Sequence, residues 1–196
     1  MEELKKKKDK QTKITIEILD LVRTVLICAI VVFIFTKFFF KPVRVDGDSM
    51  KPTLLDGEYG FSNVFSVLKE DIHRFDVVVV DHKVDDDLWV KRIIGMPGDT
   101  IQYKNDKLYV NGKYMKEPFL NKKYMKEQTN DGQILFTQDF GPVKVKKDEV
   151  FLMGDNRLVS HDSRAVGAFK IKDLVSKSVY VYFPFSEIGS VSDGTK

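Results

Sequence analysis

The sequence predicts a mainly β protein, a sandwich or partly open barrel of short antiparallel strands, carried behind one N-terminal membrane-spanning helix. Three observations predict it. Runs rich in β-branched residues, FDVVVVDH at 75–82 and LWVKRIIG at 88–95, stand between charged or turn residues. Proline, glycine and Asn-Gly punctuate the chain after residue 41 at short intervals, and no long amphipathic helix pattern interrupts them. The long apolar run TVLICAIVVFIFTKFFF, at 24–40, lies near the N-terminus and is broken only by Lys37.

Taken in order, residues 1–23 form a polar, basic segment with Lys5, Lys6, Lys7, Lys8, Lys10, Lys13 and Arg23. The 17 residues of 24–40 span about 25 Å as a helix. That is the short end of a membrane crossing; Leu19, Leu21 and Val22 extend it, and Lys37 can snorkel. A buried soluble helix would not be apolar on all sides beside a basic flank. A cleaved leader would end in small residues, whereas TKFFFKP is bulky and charged. The expected reading is a single uncleaved membrane anchor. Residues 1–23 then stay in the cytoplasm and 41–196 form an extracytoplasmic domain.

In that domain, MPGDT at 96–100 supplies a turn. IQYKNDKLYVNGKYM then reads as three strands joined at Asn105-Asp106 and Asn111-Gly112. Further strands are expected at 133–136, 143–146, 150–153 and 178–183, with a short turn near 170–174. The Lys-, Asn- and Gln-rich stretch 117–132 reads as an exposed insertion or long hairpin, and the tail after Glu187 as frayed.

Composition excludes several functions. Net charge is +3, too small to imply nucleic acid. The single cysteine, Cys28, permits no internal disulfide and no zinc set, and it reads as a small hydrophobe in the apolar run. No metal or cofactor is expected.

Three segments carry chemistry. In GDSMKPTLLDGE, at 47–58, Gly47 permits unusual backbone angles and close approach of a substrate chain. Ser49 follows on a stiff loop that can present a hydroxyl together with backbone N–H groups. As a turn serine it also suits a plain hydrogen-bonding cap. A nucleophilic serine needs a base. The histidines are His73, His82 and His161, and His161 beside Asp162 leaves a Ser-His-Asp arrangement open. Lys91 is the other candidate, because it interrupts an apolar strand and shares a face with Trp89 and Ile93. Desolvation there lowers a lysine's pKa toward a neutral, proton-accepting amine, unless its stem packs while its charge reaches water. Arg92 points the other way and stays protonated. The third segment, GDNRLVSHDSRAVGAF at 154–169, gathers polar groups after a strand; Asp162 and Arg164 can pair, and Ser160 can orient a neutral lysine.

Together and in this order, GDSMKPTL, FDVVVV, VKRIIGMPGDTI and GDNRLVSHDSRAVG behind an anchor resemble the bacterial type I signal peptidases, in particular their small Gram-positive-type members. The resemblance runs from the anchor to about Phe169. It implies a signal-peptidase-like β fold and cleavage of signal peptides from exported preproteins after small residues of the Ala-x-Ala type. It implies Ser49 as nucleophile, with its N–H in the oxyanion hole, and Lys91 as general base. Ser160 would position the lysine, Asp162 and Arg164 would hold the loop, and Asp155 would fall near Lys91. Met50, with Gly47 and Asp48 beside it, would line the bound substrate strand. Partners would be preproteins and the lipid bilayer, without nucleic acid. Two departures stand out: Gly47 occupies the place of a serine that donates a second oxyanion hydrogen bond in some members, and Leu158-Val159 replace a more usual polar pair. A self-cleaving regulator with the same dyad is disfavoured by the anchor. A non-catalytic export-binding module is disfavoured by the intact Ser49 and Lys91.

Overall fold

The computed structural model describes residues 1–68, 72–83 and 87–191, without the side chains of 2–12, 37–38, 66 and 68. The basic side chains before residue 13, the expected snorkelling of Lys37 and the tail at 192–196 therefore lie outside the described residues. The chain divides into two units, Met1–Phe39 and Phe40–Lys196.

The first unit is one helix, α1 (Glu2–Phe39). Its stretch Lys13–Thr36 is long and apolar enough to cross a membrane. Two hydroxyls of this stretch turn back onto the helix itself: Thr24 and Thr36 donate to the carbonyls of Asp20 and Val32, four residues back. The apolar segment starts earlier than the run at 24–40, and Phe40 already opens the first strand.

The second unit is built from β1 (Phe40–Arg44), β2 (Tyr59–Asn63), α2 (Val64–Leu68), β3 (Val77–Asp81), β4 (Leu88–Gly95), β5 (Thr100–Lys104), β6 (Lys107–Val110), β7 (Lys113–Met115), α3 (Lys122–Gln128), β8 (Phe140–Lys144), β9 (Glu149–Met153), α4 (Ser163–Val166), β10 (Phe169–Lys170), β11 (Leu174–Phe183) and β12 (Gly189–Val191). A large antiparallel sheet runs β1-β2-β11-β3-β4-β9-β10, with β12 also paired to β11. A small sheet runs β7-β6-β5-β8. In β3, Val77, Val78, Val79 and Val80 are all buried, because the strand is central and covered on both faces. Odd and even positions split between two cores: Val77 and Val79 join Met50 and Leu54, while Val78 and Val80 join Ile93 and Leu152. A third core, with Ile94, Tyr103 and Phe151, ties the end of β4 to the small sheet. The hairpins of that sheet turn where expected: Asn105, Asp106 and Asn111 adopt positive φ and Gly112 follows at +76°, the backbone that tight two-residue hairpins require.

Several expectations are corrected. Residues 133–136 are not a strand. Phe136 is buried, and the amides of Phe136 and Thr137 donate to the Asp106 carboxylate at 3.1 and 2.6 Å instead of to a neighbouring strand. The stretch 117–132 is only partly exposed; it contains α3, whose first turn is capped by the Asn121 side chain, and it buries Phe119 and Thr129. The chain after Glu187 does not fray at once, since β12 pairs with β11 and buries Val191 completely. The strand expected at 143–146 lies at Phe140–Lys144, and β11 begins four residues before the expected 178.

Candidate active site

Residues 45–58 leave β1 and return to β2 as a closed loop. Its base is tied by Val45 N–H to Glu58 O at 2.8 Å and Gly57 N–H to Val45 O at 3.0 Å. Met50 and Leu54 anchor it, being 1% and 0% exposed in the core. Within it the amides of Thr53 and Leu54 both donate to Met50 O, and Lys51 pairs with Asp48 at 2.9 Å. Apolar plugs on one side and a water-facing ion pair on the other hold Ser49 on a turn of fixed shape.

Lys91 sits on β4 opposite Val78 of β3 and is 5% exposed. Its Nζ lies 2.8 Å from Ser49 Oγ and 5.4 Å from the centre of the Trp89 ring. Among the described residues it has no ion-pair partner within contact distance. Burial lowers its pKa from the usual lysine value to about 8; Asp162 and Asp155 pull it back up and Arg164 pushes it further down.

The segment 154–164 packs against both groups. Asn156 N–H donates to Ser49 O at 3.0 Å, fixing the peptide that carries the Ser49 side chain. Gly154 is required for that approach, because a Cβ there would stand 2.2 Å from Ser160 Oγ and 2.3 Å from Ser49 O. Asp162 accepts from Gly154 N–H at 3.0 Å and from Arg164 Nε and Nη2 at 2.9 and 2.8 Å. Burial alone would raise the Asp162 carboxyl, yet its Arg164 contacts outweigh that and hold it below the usual range. Arg164 also donates to Arg157 O at 2.8 Å, closing the loop on itself.

Ser49, Lys91, Gly47, Asp48 and Met50 line one open cleft, whose walls are 44–50 and 88–91 and whose rim is Val159 and His161. Ser160 Oγ is buried and lies within reach of the Asp162 carboxylate, but it meets no partner in good hydrogen-bond geometry and makes no bond to Lys91. Asp155 is near Lys91, but its bonds go to the next residue: Arg92 Nε and Nη2 reach it at 2.8 and 2.7 Å, with Thr53 Oγ1 donating from the serine loop. His161 is exposed and stands edge-on to Trp89 at 5.6 Å, without a hydrogen bond to Ser49 or Asp162. His82 stacks flat on Trp89 at 3.8 Å, and His73 is exposed beside Asp76. No cluster of metal-binding side chains occurs among the described residues.

Sequence reasoning missed the buried role of Arg157. Its guanidinium pairs with Glu117, receives Tyr103 and Thr137 as acceptors at 2.7 and 3.2 Å, and donates to Gly154 O at 3.1 Å. Glu117 and Arg157 are 40 residues apart, and no local pattern links them. Asp56, whose carboxylate accepts the Gly47 amide from nine positions away, is a second residue that sequence reasoning did not single out.

Residues 18–183 match the family described as signal peptidase, peptidase S26. The chain is 44% identical over 181 residues to signal peptidase I P of Bacillus subtilis subsp. natto, covering 92% of this chain and 97% of that protein. It is 44% identical to signal peptidase I S of Bacillus subtilis strain 168 over 87% of this chain and 92% of that one. It is 38% identical to signal peptidase IB of Staphylococcus aureus strain COL, over 87% and 92%. A crystal structure of a signal peptidase I from Enterococcus faecalis V583 is 30% identical, with a TM-score of 0.49, covering 54% of this chain and 95% of that one.

Proposed function

The chain belongs to the peptidase S26 family of signal peptidases, enzymes that remove signal peptides from preproteins, and on that footing we propose that it does so with a Ser49–Lys91 dyad. The carrying observation is the 2.8 Å separation of Lys91 Nζ and Ser49 Oγ at a site where burial brings the amine to a pKa of about 8. The neutral amine takes the Ser49 hydroxyl proton as Oγ adds to the scissile carbonyl carbon. The resulting oxyanion is met by the Ser49 N–H. The Lys91 ammonium then protonates the leaving amine, which departs as the new N-terminus of the mature protein. Water, losing its proton to Lys91, attacks the acyl-enzyme and releases the signal peptide. Asp162 and Arg164 hold the loop that seats Ser49, and Ser160, whose hydroxyl is buried without a bonded partner, is assigned to orient the lysine.

The cleft between 44–50 and 88–91 takes the signal-peptide side as an added strand, with Gly47, Asp48 and Met50 beside the cleavage point, and the substrates it accepts carry small residues of the Ala-x-Ala type there. Helix α1 serves as a single anchor: the basic N-terminus remains cytoplasmic, the apolar stretch within Lys13–Thr36 crosses the bilayer, and the β domain from Phe40 onward works on the outer face, where substrates arrive. The test is cleavage of a preprotein by the full chain in liposomes. Ser49→Ala and Lys91→Ala lose at least about 10³-fold in rate with folding retained, while His161→Ala stays active. Activity surviving Lys91→Ala but lost with His161→Ala would transfer the base role to the histidine. Binding of preprotein without cleavage by the unaltered chain would make it a receptor instead.

A further inference from the structure

The backbone of the serine loop carries an unusual set of open donors. Among the described residues, the consecutive amides of Asp48, Ser49 and Met50 donate to no protein acceptor, whereas those of Gly47, Lys51, Thr53 and Leu54 are all engaged. The engaged amide just before the open three is held by a side chain: Gly47 N–H donates to Asp56 Oδ1 at 2.8 Å. Gly47 itself has φ +84°. A left-handed residue at the head of successive open amides re-aims the backbone that carries them, the kind of turn from which anion-binding concavities are built. A Cβ at Gly47 would meet nothing within 4 Å, so space does not demand glycine there; the backbone conformation does. A serine hydroxyl at this position would thus be installed only on a strained backbone.

We propose that Asp56 is a positioning residue for the oxyanion site: by capping the Gly47 amide it locks the left-handed turn, so that the Asp48, Ser49 and Met50 amides stay aimed at the carbonyl under attack. This rests on Ser49 being the nucleophile. A rigid backbone then does what a second side-chain donor would otherwise do at position 47. The carboxylate is exposed, and its bond to Gly47 crosses the loop between residues nine apart, so removing it loosens the turn without opening the core.

The experiment compares the full chain with Asp56→Ala, Asp56→Asn and Ser49→Ala on one preprotein, with kcat, KM and Tm read for each. Deleting an oxyanion donor costs about 10²–10³ in kcat, and loosening the set should cost less, about 10–50-fold for Asp56→Ala. KM should stay within about twofold, because the ground-state carbonyl does not use the site fully. Asp56→Asn, whose amide oxygen can accept the same bond, should keep at least about a third of wild-type kcat. The proposal is overturned if Asp56→Ala keeps wild-type kcat, if its loss appears in KM or follows a fall in Tm, or if Asp56→Asn falls as far as alanine. Cleavage by Ser49→Ala would instead remove the nucleophile assignment itself.

Discussion

Lys91 and Arg92 are adjacent basic residues on β4, both buried, and they have opposite surroundings. Arg92 is 0% exposed, gripped by Asp155 through two hydrogen bonds, donating to Phe75 O at 2.7 Å and lying over the Phe119 ring at 4.1 Å. Lys91, on the other face, meets a hydroxyl and an indole and no carboxylate in contact. One charge is buried with everything it needs, and the other is buried so that its proton is held far less tightly than an ordinary lysine's. The pair shows how a single strand separates an ion-paired cation from a desolvated amine by one residue, using only the alternation of faces.

The contrast can be broken most severely at Arg92. Arg92→Met leaves Asp155 buried without its partner, and stability to urea should fall by about 3–5 kcal/mol. An unchanged midpoint would mean that water reaches Asp155. Lys91→Met, the matching change on the other face, should leave the protein as stable at pH 7 or more so. The sign follows from linkage. Folding lowers the Lys91 pKa from 10.5 to about 8, so between those pH values the unfolded chain binds more protons and stability rises with pH. Below about pH 8 both states carry the proton and the full burial penalty remains, roughly 3 kcal/mol. Subtracting the Lys91→Met curve from wild type should expose that rise between pH 8 and 10.5, and a flat difference would show an amine that is not desolvated. The same titration should appear in activity as kcat/KM climbing through about pH 8. The smallest effect is expected at His161, whose exposed ring only flanks Trp89. His161→Ala should shift stability by less than about 0.5 kcal/mol and leave the pH profile in place.

What the sequence made readable follows from the range of the interactions involved. The β5–β6–β7 meander was legible because Asn105-Asp106 and Asn111-Gly112 dictate their turns locally. Lys91 could be singled out because a charge inside LWVKRII conflicts with its own neighbours. The membrane-length helix was legible for a similar reason, as one uninterrupted local property. Phe136 misled because an apolar, β-favouring run resembles a strand, while the Asp106 carboxylate that satisfies its backbone comes from 30 residues away. The partners of Arg157 and Asp155 are likewise set by strand order in the two sheets, which local patterning does not carry. Gly154 had a reason that emerges only when two distant loops meet: no atom can be added between the Ser49 carbonyl and Ser160.

The last strand has a consequence for anyone shortening the chain. Along Val179–Val181, β11 is paired with β2 on one side and with β12 on the other. Cutting before Gly189 would bare a row of backbone donors and acceptors beside exposed Tyr180, Tyr182 and Phe183. Such an open, aromatic-rich rim recruits strands from neighbouring molecules, so the trimmed domain should self-associate even with its chemistry untouched.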